Sequence, residues 1–115
     1  MSDLHELTLL MRQFSEDRDW AQFHDPKSLI LALVGEVGEL AELFQWLPAD
    51  TARAEASHGR MQERAGEEMA DVLLYLIRLA DILDVDLSAS TRRKLAEAES
   101  RFDAGTFQGI APIKD

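Results

Sequence analysis

Leu31-Ala-Leu-Val-Gly-Glu-Val-Gly-Glu-Leu-Ala-Glu-Leu-Phe-Gln-Trp46 reads as an amphipathic helix that carries acids on its apolar side. An α-helix turns by about 100° per residue, so positions i, i+3, i+4 and i+7 share a face. Counted in this way, Glu36 falls in the middle of a stripe made by Leu29, Ala32, Leu33, Leu40, Leu43 and Leu47, and Glu39 lies at its edge beside Trp46. The arrangement recurs around Glu67-Glu-Met-Ala-Asp-Val-Leu-Leu-Tyr-Leu76. There Glu68 is centred among Ala65, Val72, Tyr75, Leu79 and Ile82, with Asp71 at the edge. Acids in helices ordinarily form solvated faces, but these are set among side chains that favour burial. A buried carboxylate without a partner costs several kcal/mol, and the ways out are protonation, ion pairs or metal. Arg64 and Arg78 each offer a partner for one acid, which leaves the others unmatched and makes metal the favoured reading. An all-oxygen donor set selects hard ions, Mg²⁺ with Mn²⁺ as a substitute, over zinc or iron. A di-iron bundle would add a Glu-x-x-His element, and none of His5, His24 and His58 stands at that spacing.

Outward from these stretches, the apolar period gives helices over about 4–18, 27–47, 61–84 and 87–102, and no alternating stretch that reads as a strand. The fold class is therefore all-α, a four-helix bundle-like arrangement. A Trp-containing loop over 19–26 separates the first two helices, and Pro48 forbids extension of the second. Residues 49–59 have no continuous stripe and read as a mobile loop or a single helical turn. Ser88 is the expected N-cap of the last helix. One domain is expected over 1–103, followed by a flexible tail over 104–115 that holds Gly105, Gly109 and Pro112. Gly35 and Gly38 interrupt the second helix beside the acids, either for close helix packing or to leave room for ions or phosphates. No Gly-x-x-x-x-Gly-Lys loop is present.

The chain has 115 residues, enough for one compact domain with a core. With 46% apolar and 30% charged residues, it is globular rather than low-complexity. Cysteine is absent, which removes disulfides, thiolate nucleophiles and cysteine-containing zinc sites and fits a reducing compartment. Twenty-two acids against twelve bases give a net charge of −10, which opposes nucleic-acid polymers and anionic membrane surfaces as partners. The N-terminus lacks a basic signal-type region, and no apolar run reaches the roughly 20 residues of a membrane span, so a cytoplasmic location is expected.

The acid-bearing stretches together strongly resemble the all-α nucleoside triphosphate pyrophosphohydrolases of the MazG-like superfamily. The upstream segment Arg18-Asp-Trp-Ala-Gln-Phe-His-Asp-Pro26 is similar to that of the dCTP pyrophosphatase branch. The resemblance covers about residues 7–102. Its specificity lies in the combination of Glu-x-x-Glu, a Glu-x-x-Asp about thirty residues on, and the Trp-containing loop before them.

The resemblance implies Mg²⁺ ligation by Glu36, Glu39, Glu68 and Asp71, and hydrolysis of a nucleoside triphosphate between its α- and β-phosphates. Glu36 and Glu39 are then the catalytic carboxylates, and Glu39 or the neighbouring Glu42 takes the water's proton. Trp20, Trp46 and Tyr75 match nucleotide-contacting positions, although an aromatic at the end of an apolar helix is more often core. Lys94 matches a family lysine that meets phosphate; read without the family, it is a solvated charge flanked by Arg92 and Arg93. The chain departs from the family at Met11, where the branch has a base-facing His, at Ala98, where relatives have Asn, and at Arg101-Phe102, which stands where relatives have Arg-Tyr-Pro and is not followed by Pro. These changes bear on base preference more than on reaction class.

The implied activity is Mg²⁺-dependent hydrolysis of dCTP or a modified dCTP in nucleotide-pool sanitising. The competing readings are dUTP or a damaged purine triphosphate on the same fold, and a non-catalytic helical dimer that binds nucleotide or metal. Second apolar faces at Ile30, Val34, Val37, Ala41 and Phe44, and at Met69, Leu73, Ile77 and Ala80, predict a homodimer or dimer of dimers.

Overall fold

The computed structural model describes residues 2–113. The first residue of the expected domain and the last two of the expected tail, 114 and 115, lie outside the described residues. The chain forms α1 (Asp3–Asp17), a 3₁₀ turn (Ala21–Phe23), α2 (Pro26–Phe44), α3 (Ala49–Ala56), α4 (Gly59–Ile82), α5 (Leu87–Arg101) and a one-turn α6 (Ala104–Phe107). No strand occurs among the described residues, as the apolar period predicts. The helices fall into two compact units, one reaching to Asp84 and one beginning at Val85.

In the first unit α4 is the central element. It packs most extensively against α2, then against α1, and less against α3. The buried hydrophobic residues of this unit are Leu29 on α2 and Ala65, Ile77 and Ala80 on α4. The apolar period places Ile77 and Ala80 on an outer, intermolecular face of α4. They lie inside because α4 is covered by three helices rather than one, whereas Ile30, Val34 and Val37 on α2 and Met69 and Leu73 on α4 do remain exposed.

Local chemistry sets the helix ends. Asp25 caps α2, its side chain accepting from the Ser28 backbone N–H, and Pro26 supplies a preset φ at the first helical position. Residues 49–56 form two helical turns rather than a loop or single turn. Pro48, which stops α2 from continuing, sits at φ −60° as the residue that starts α3.

In the second unit Asp86, not Ser88, caps α5, accepting from the Ala89 N–H at 3.0 Å. Asp and Ser are near-equal caps, so the choice turned on where the backbone leaves the extended region, two residues earlier than the periodicity suggested. Asp103 caps α6, and Phe107 meets Phe102 edge to face at 5.5 Å.

Candidate active site

The long contact between α2 and α4 brings the acids of the two helices together. One carboxylate oxygen each from Glu36, Glu39 and Glu68 lies within 4.8 Å of the others. Glu36 Oε2 and Glu68 Oε2 are buried with no hydrogen-bond partner among the described residues. Burial first, then the adjacent Glu39 carboxylate, then the charges of Asp71 and Glu68 push the Glu36 carboxyl up to about 7. The same causes, burial and then Glu39 and Asp71, raise Glu68, and Arg64 opposes them. Asp71, one turn beyond Glu68, stands outside the tight group of three but close enough for its charge to act on both.

Buried oxygens that lack a donor, in a group of like charges, match what a hard divalent cation requires. A cation bound there would supply the missing partner and favour the ionised carboxylates. Gly35 and Gly38 crowd nothing, since a Cβ at either would meet no atom within 4 Å. Close packing inside this chain is therefore not the reason for either glycine.

Beside the acids lies a cavity of about 420 Å³. Leu7, Leu10, Met11 and Phe14 of α1 form one wall, Leu74, Tyr75 and Asp71 of α4 another, and Trp20 and His24 come from the intervening loop. The size and the predominantly apolar, aromatic lining with a few polar groups are those of a small-molecule site. Trp20 reaches it through a local device. The Asp19 N–H donates to the Glu16 carbonyl and the Trp20 N–H to the Ser15 carbonyl, the paired bonds of a Schellman motif, with Asp19 in the left-handed region at φ 52°. The Trp20 ring then meets Phe14 edge to face at 5.7 Å, and the Arg18 guanidinium covers the Phe14 ring at 3.7 Å.

Of the expected nucleotide-contacting residues, Trp20 and Tyr75 line this cavity. Trp46 stands apart from the lining and is 87% exposed. Lys94 lies on α5 in the second unit, beside Glu97 at 3.4 Å. Arg78, offered by the sequence as a partner for one of the four acids, turns elsewhere. It is 3% exposed and donates to Asp81 Oδ2 at 3.1 Å and to His24 Nδ1 at 3.0 Å. His24 lines the cavity although its spacing in the sequence fits no metal-ligand pattern. Its place in the Trp-containing segment was the available signal.

The profile of the MazG nucleotide pyrophosphohydrolase domain matches residues 24–104. The chain belongs to that family. Among curated proteins, this MazG chain is 42% identical over 108 residues to dCTP pyrophosphatase 1 of Bos taurus, covering 94% of this chain and 64% of that protein. It is 43% identical over 101 residues to dCTP pyrophosphatase 1 of Homo sapiens, covering 88% and 59%. The chain thus spans somewhat less than two thirds of the length of these relatives. Among solved structures, a pyrophosphatase from Archaeoglobus fulgidus superposes on the MazG fold described above with a TM-score of 0.81 at 32% identity, covering 90% of this chain and 94% of that one.

Proposed function

We propose that this chain is a Mg²⁺-dependent nucleoside triphosphate pyrophosphohydrolase that cleaves dCTP or a modified dCTP between the α- and β-phosphates, giving the monophosphate and pyrophosphate and clearing the nucleotide pool. The observation that carries the reading is the pair of buried, partnerless carboxylate oxygens of Glu36 and Glu68 beside a cavity walled by aromatics. Glu36, Glu39, Glu68 and Asp71 would hold the cation. When bound, Mg²⁺ neutralises polyphosphate charge and acidifies water, which suits phosphoanhydride hydrolysis.

The chain's own residues do the rest. Trp20 and Tyr75 offer faces on which a base stacks, a contact worth about 1–3 kcal/mol where measured. Glu39, the exposed member of the group of three, or the neighbouring Glu42 accepts the proton of the attacking water. Asp71 joins the cation group to the cavity wall, so that a nucleotide extends from one to the other. Met11, Leu7 and Leu10 present hydrocarbon and thioether to the base, which suits an apolar substituent on a modified cytosine. Lys94 and Trp46 are proposed substrate contacts on the family resemblance. The exposed apolar faces of α2 and α4 support a homodimer or dimer of dimers. Among the described residues no helix is long and apolar enough to cross a membrane.

The test is a panel of deoxy- and ribonucleoside triphosphates incubated with Mg²⁺. The expected outcome is turnover led by cytosine nucleotides. Glu39→Gln and Asp71→Asn should each lower the rate by about a hundredfold or more while leaving the circular dichroism spectrum unchanged. Preference for dUTP or a damaged purine would move the substrate assignment. Binding without turnover of any triphosphate would favour the non-catalytic reading.

A further inference from the structure

Arg64 on α4 has no part in the reaction proposed above and no partner in the chain. Among the described residues it makes neither a hydrogen bond nor an ion pair, whereas Arg12 and Arg78 share Asp81 and Arg60 pairs with Glu63. The residue is exposed. An exposed arginine is ordinarily a solvated charge, and position is what sets this one apart. Four, seven and eleven residues on, an α-helix has come round to within about 40°, 20° and 20° of its starting direction. Arg64, Glu68, Asp71 and Tyr75 therefore share one face of the unbroken helix Gly59–Ile82. The guanidinium charge is felt at Glu68, where it opposes the effect of burial and of the neighbouring acids.

The order of these groups along the axis matches the order of groups in a nucleotide. At a rise of 1.5 Å per residue, Asp71, Glu68 and Arg64 lie about 6, 10 and 16 Å from Tyr75. Tyr75 and Asp71 line the cavity, Glu68 belongs to the group of three acids, and Arg64 stands one turn beyond it. A nucleoside triphosphate runs from base and sugar through the α-phosphate to the β- and γ-phosphates. With the base at Trp20 and Tyr75 and the α-phosphate at the acids, the last two phosphates reach the turn that carries Arg64. Toward the other end of α4, Arg78 offers no such contact, because it is buried and spent on Asp81 and His24.

A guanidinium is planar, always charged, and presents paired donors that match two phosphate oxygens. No acid of the chain holds these donors within ion-pair distance, so they are available to a ligand. We infer that Arg64 is a substrate-contacting residue that binds the β- and γ-phosphates, the part of the nucleotide that leaves as pyrophosphate. As water forms its bond to the α-phosphorus, the bond to the bridging oxygen breaks and that oxygen keeps the electron pair. Arg64 meets the negative charge that pyrophosphate gains in this step. The inference rests on the nucleotide reading of the site and deepens it.

Pyrophosphate and dCMP separate the two halves of the substrate and test the assignment without turnover. Each is titrated calorimetrically, with Mg²⁺ present, into the full chain and into Arg64→Gln and Arg64→Lys. Arg64→Gln should weaken pyrophosphate by about tenfold or more, the worth of a charged hydrogen bond, and leave dCMP unchanged. Arg64→Lys keeps the charge without the fork and should recover part of the loss. In hydrolysis, kcat/KM for dCTP should fall by about tenfold or more in Arg64→Gln.

A residue that only balances the charge of the acids would change both ligands alike through the bound cation. Equal changes for pyrophosphate and dCMP in Arg64→Gln, or no change in either, would overturn the inference. So would a wild type that binds dCMP but not pyrophosphate. Should Arg64→Gln fail to fold, Arg64→Met, which keeps the aliphatic stem, makes the same comparison. Selective loss of pyrophosphate in a protein that hydrolyses no triphosphate would overturn the hydrolase reading only. Hydrolysis with both ligands changed alike would overturn this inference only.

Discussion

Glu36 shows how a residue costly to the fold can stand where the proposed cation site requires it. An unfolded glutamate titrates near 4.5, while burial and the neighbouring acids raise the folded group to about 7. Between those values the folded chain keeps a proton that the unfolded chain has released. The Glu36 contribution to stability therefore falls as pH rises from about 4.5 to about 7 and stays low above it. In the presence of chelator, Glu36→Gln is expected to melt higher than the wild type above pH about 7, and the difference should close below pH about 4.5. The variant should also bind Mg²⁺ more weakly. Melting curves of both proteins across that range check the claim, and parallel curves would contradict it. The acids were legible in the sequence because their signal is local: a carboxylate inside an apolar stripe is visible from helical period alone. The His24–Arg78 and Arg12–Asp81 bonds span 54 and 69 residues and leave no periodic trace. Arg78 could be noted as a cation in an apolar helix, but its partner could not be named. Trp46 looked like its two aromatic counterparts in sequence, yet α2 ends at Phe44 and leaves it outside the cavity lining.

At the scale of elements, the turn after α1 decides where Trp20 goes. Asp19 holds φ 52° so that the Schellman bonds can form, a conformation that costs a side chain about 1 kcal/mol and glycine almost nothing. Asp19→Gly should therefore raise stability by a few tenths to about 1 kcal/mol. Asp19→Val should lower it by more than 1 kcal/mol and weaken nucleotide binding with it, through Trp20. Urea denaturation and nucleotide titration of the two variants read both effects, and a Val variant as stable as the Gly variant would contradict the assignment. Helix boundaries were readable to within a few residues wherever a cap or proline marked them, as at Asp25-Pro26. α3 was not, because its two turns carry no apolar stripe and depend on contact with α4 rather than on their own pattern.

At the scale of the whole molecule, Ile30, Leu31, Val34 and Val37 leave apolar surface exposed along α2, with Met69 and Leu73 adding to it on α4. A monomer exposes single apolar residues routinely, whereas a run along one helix is the kind of surface that the proposed self-association would cover. The proposed self-association predicts a dimer or larger species at micromolar concentration, and Val34→Glu should shift it toward monomer by burying charge at the contact. Sedimentation velocity of both proteins reads the result; a wild-type monomer would contradict the assembly. The net charge of −10 opposes nucleic-acid polymers, but it describes the chain without cations. The four acids Glu36, Glu39, Glu68 and Asp71 supply part of it, and bound divalent cations would make the same place attractive to a triphosphate. The most direct test of that claim is hydrolysis of dCTP in ¹⁸O-enriched water with Mg²⁺. The expected products are dCMP carrying the label and unlabelled pyrophosphate, as the proposed attack of water on the α-phosphorus requires. Label in inorganic phosphate released with dCDP, or no hydrolysis of any triphosphate, would contradict it.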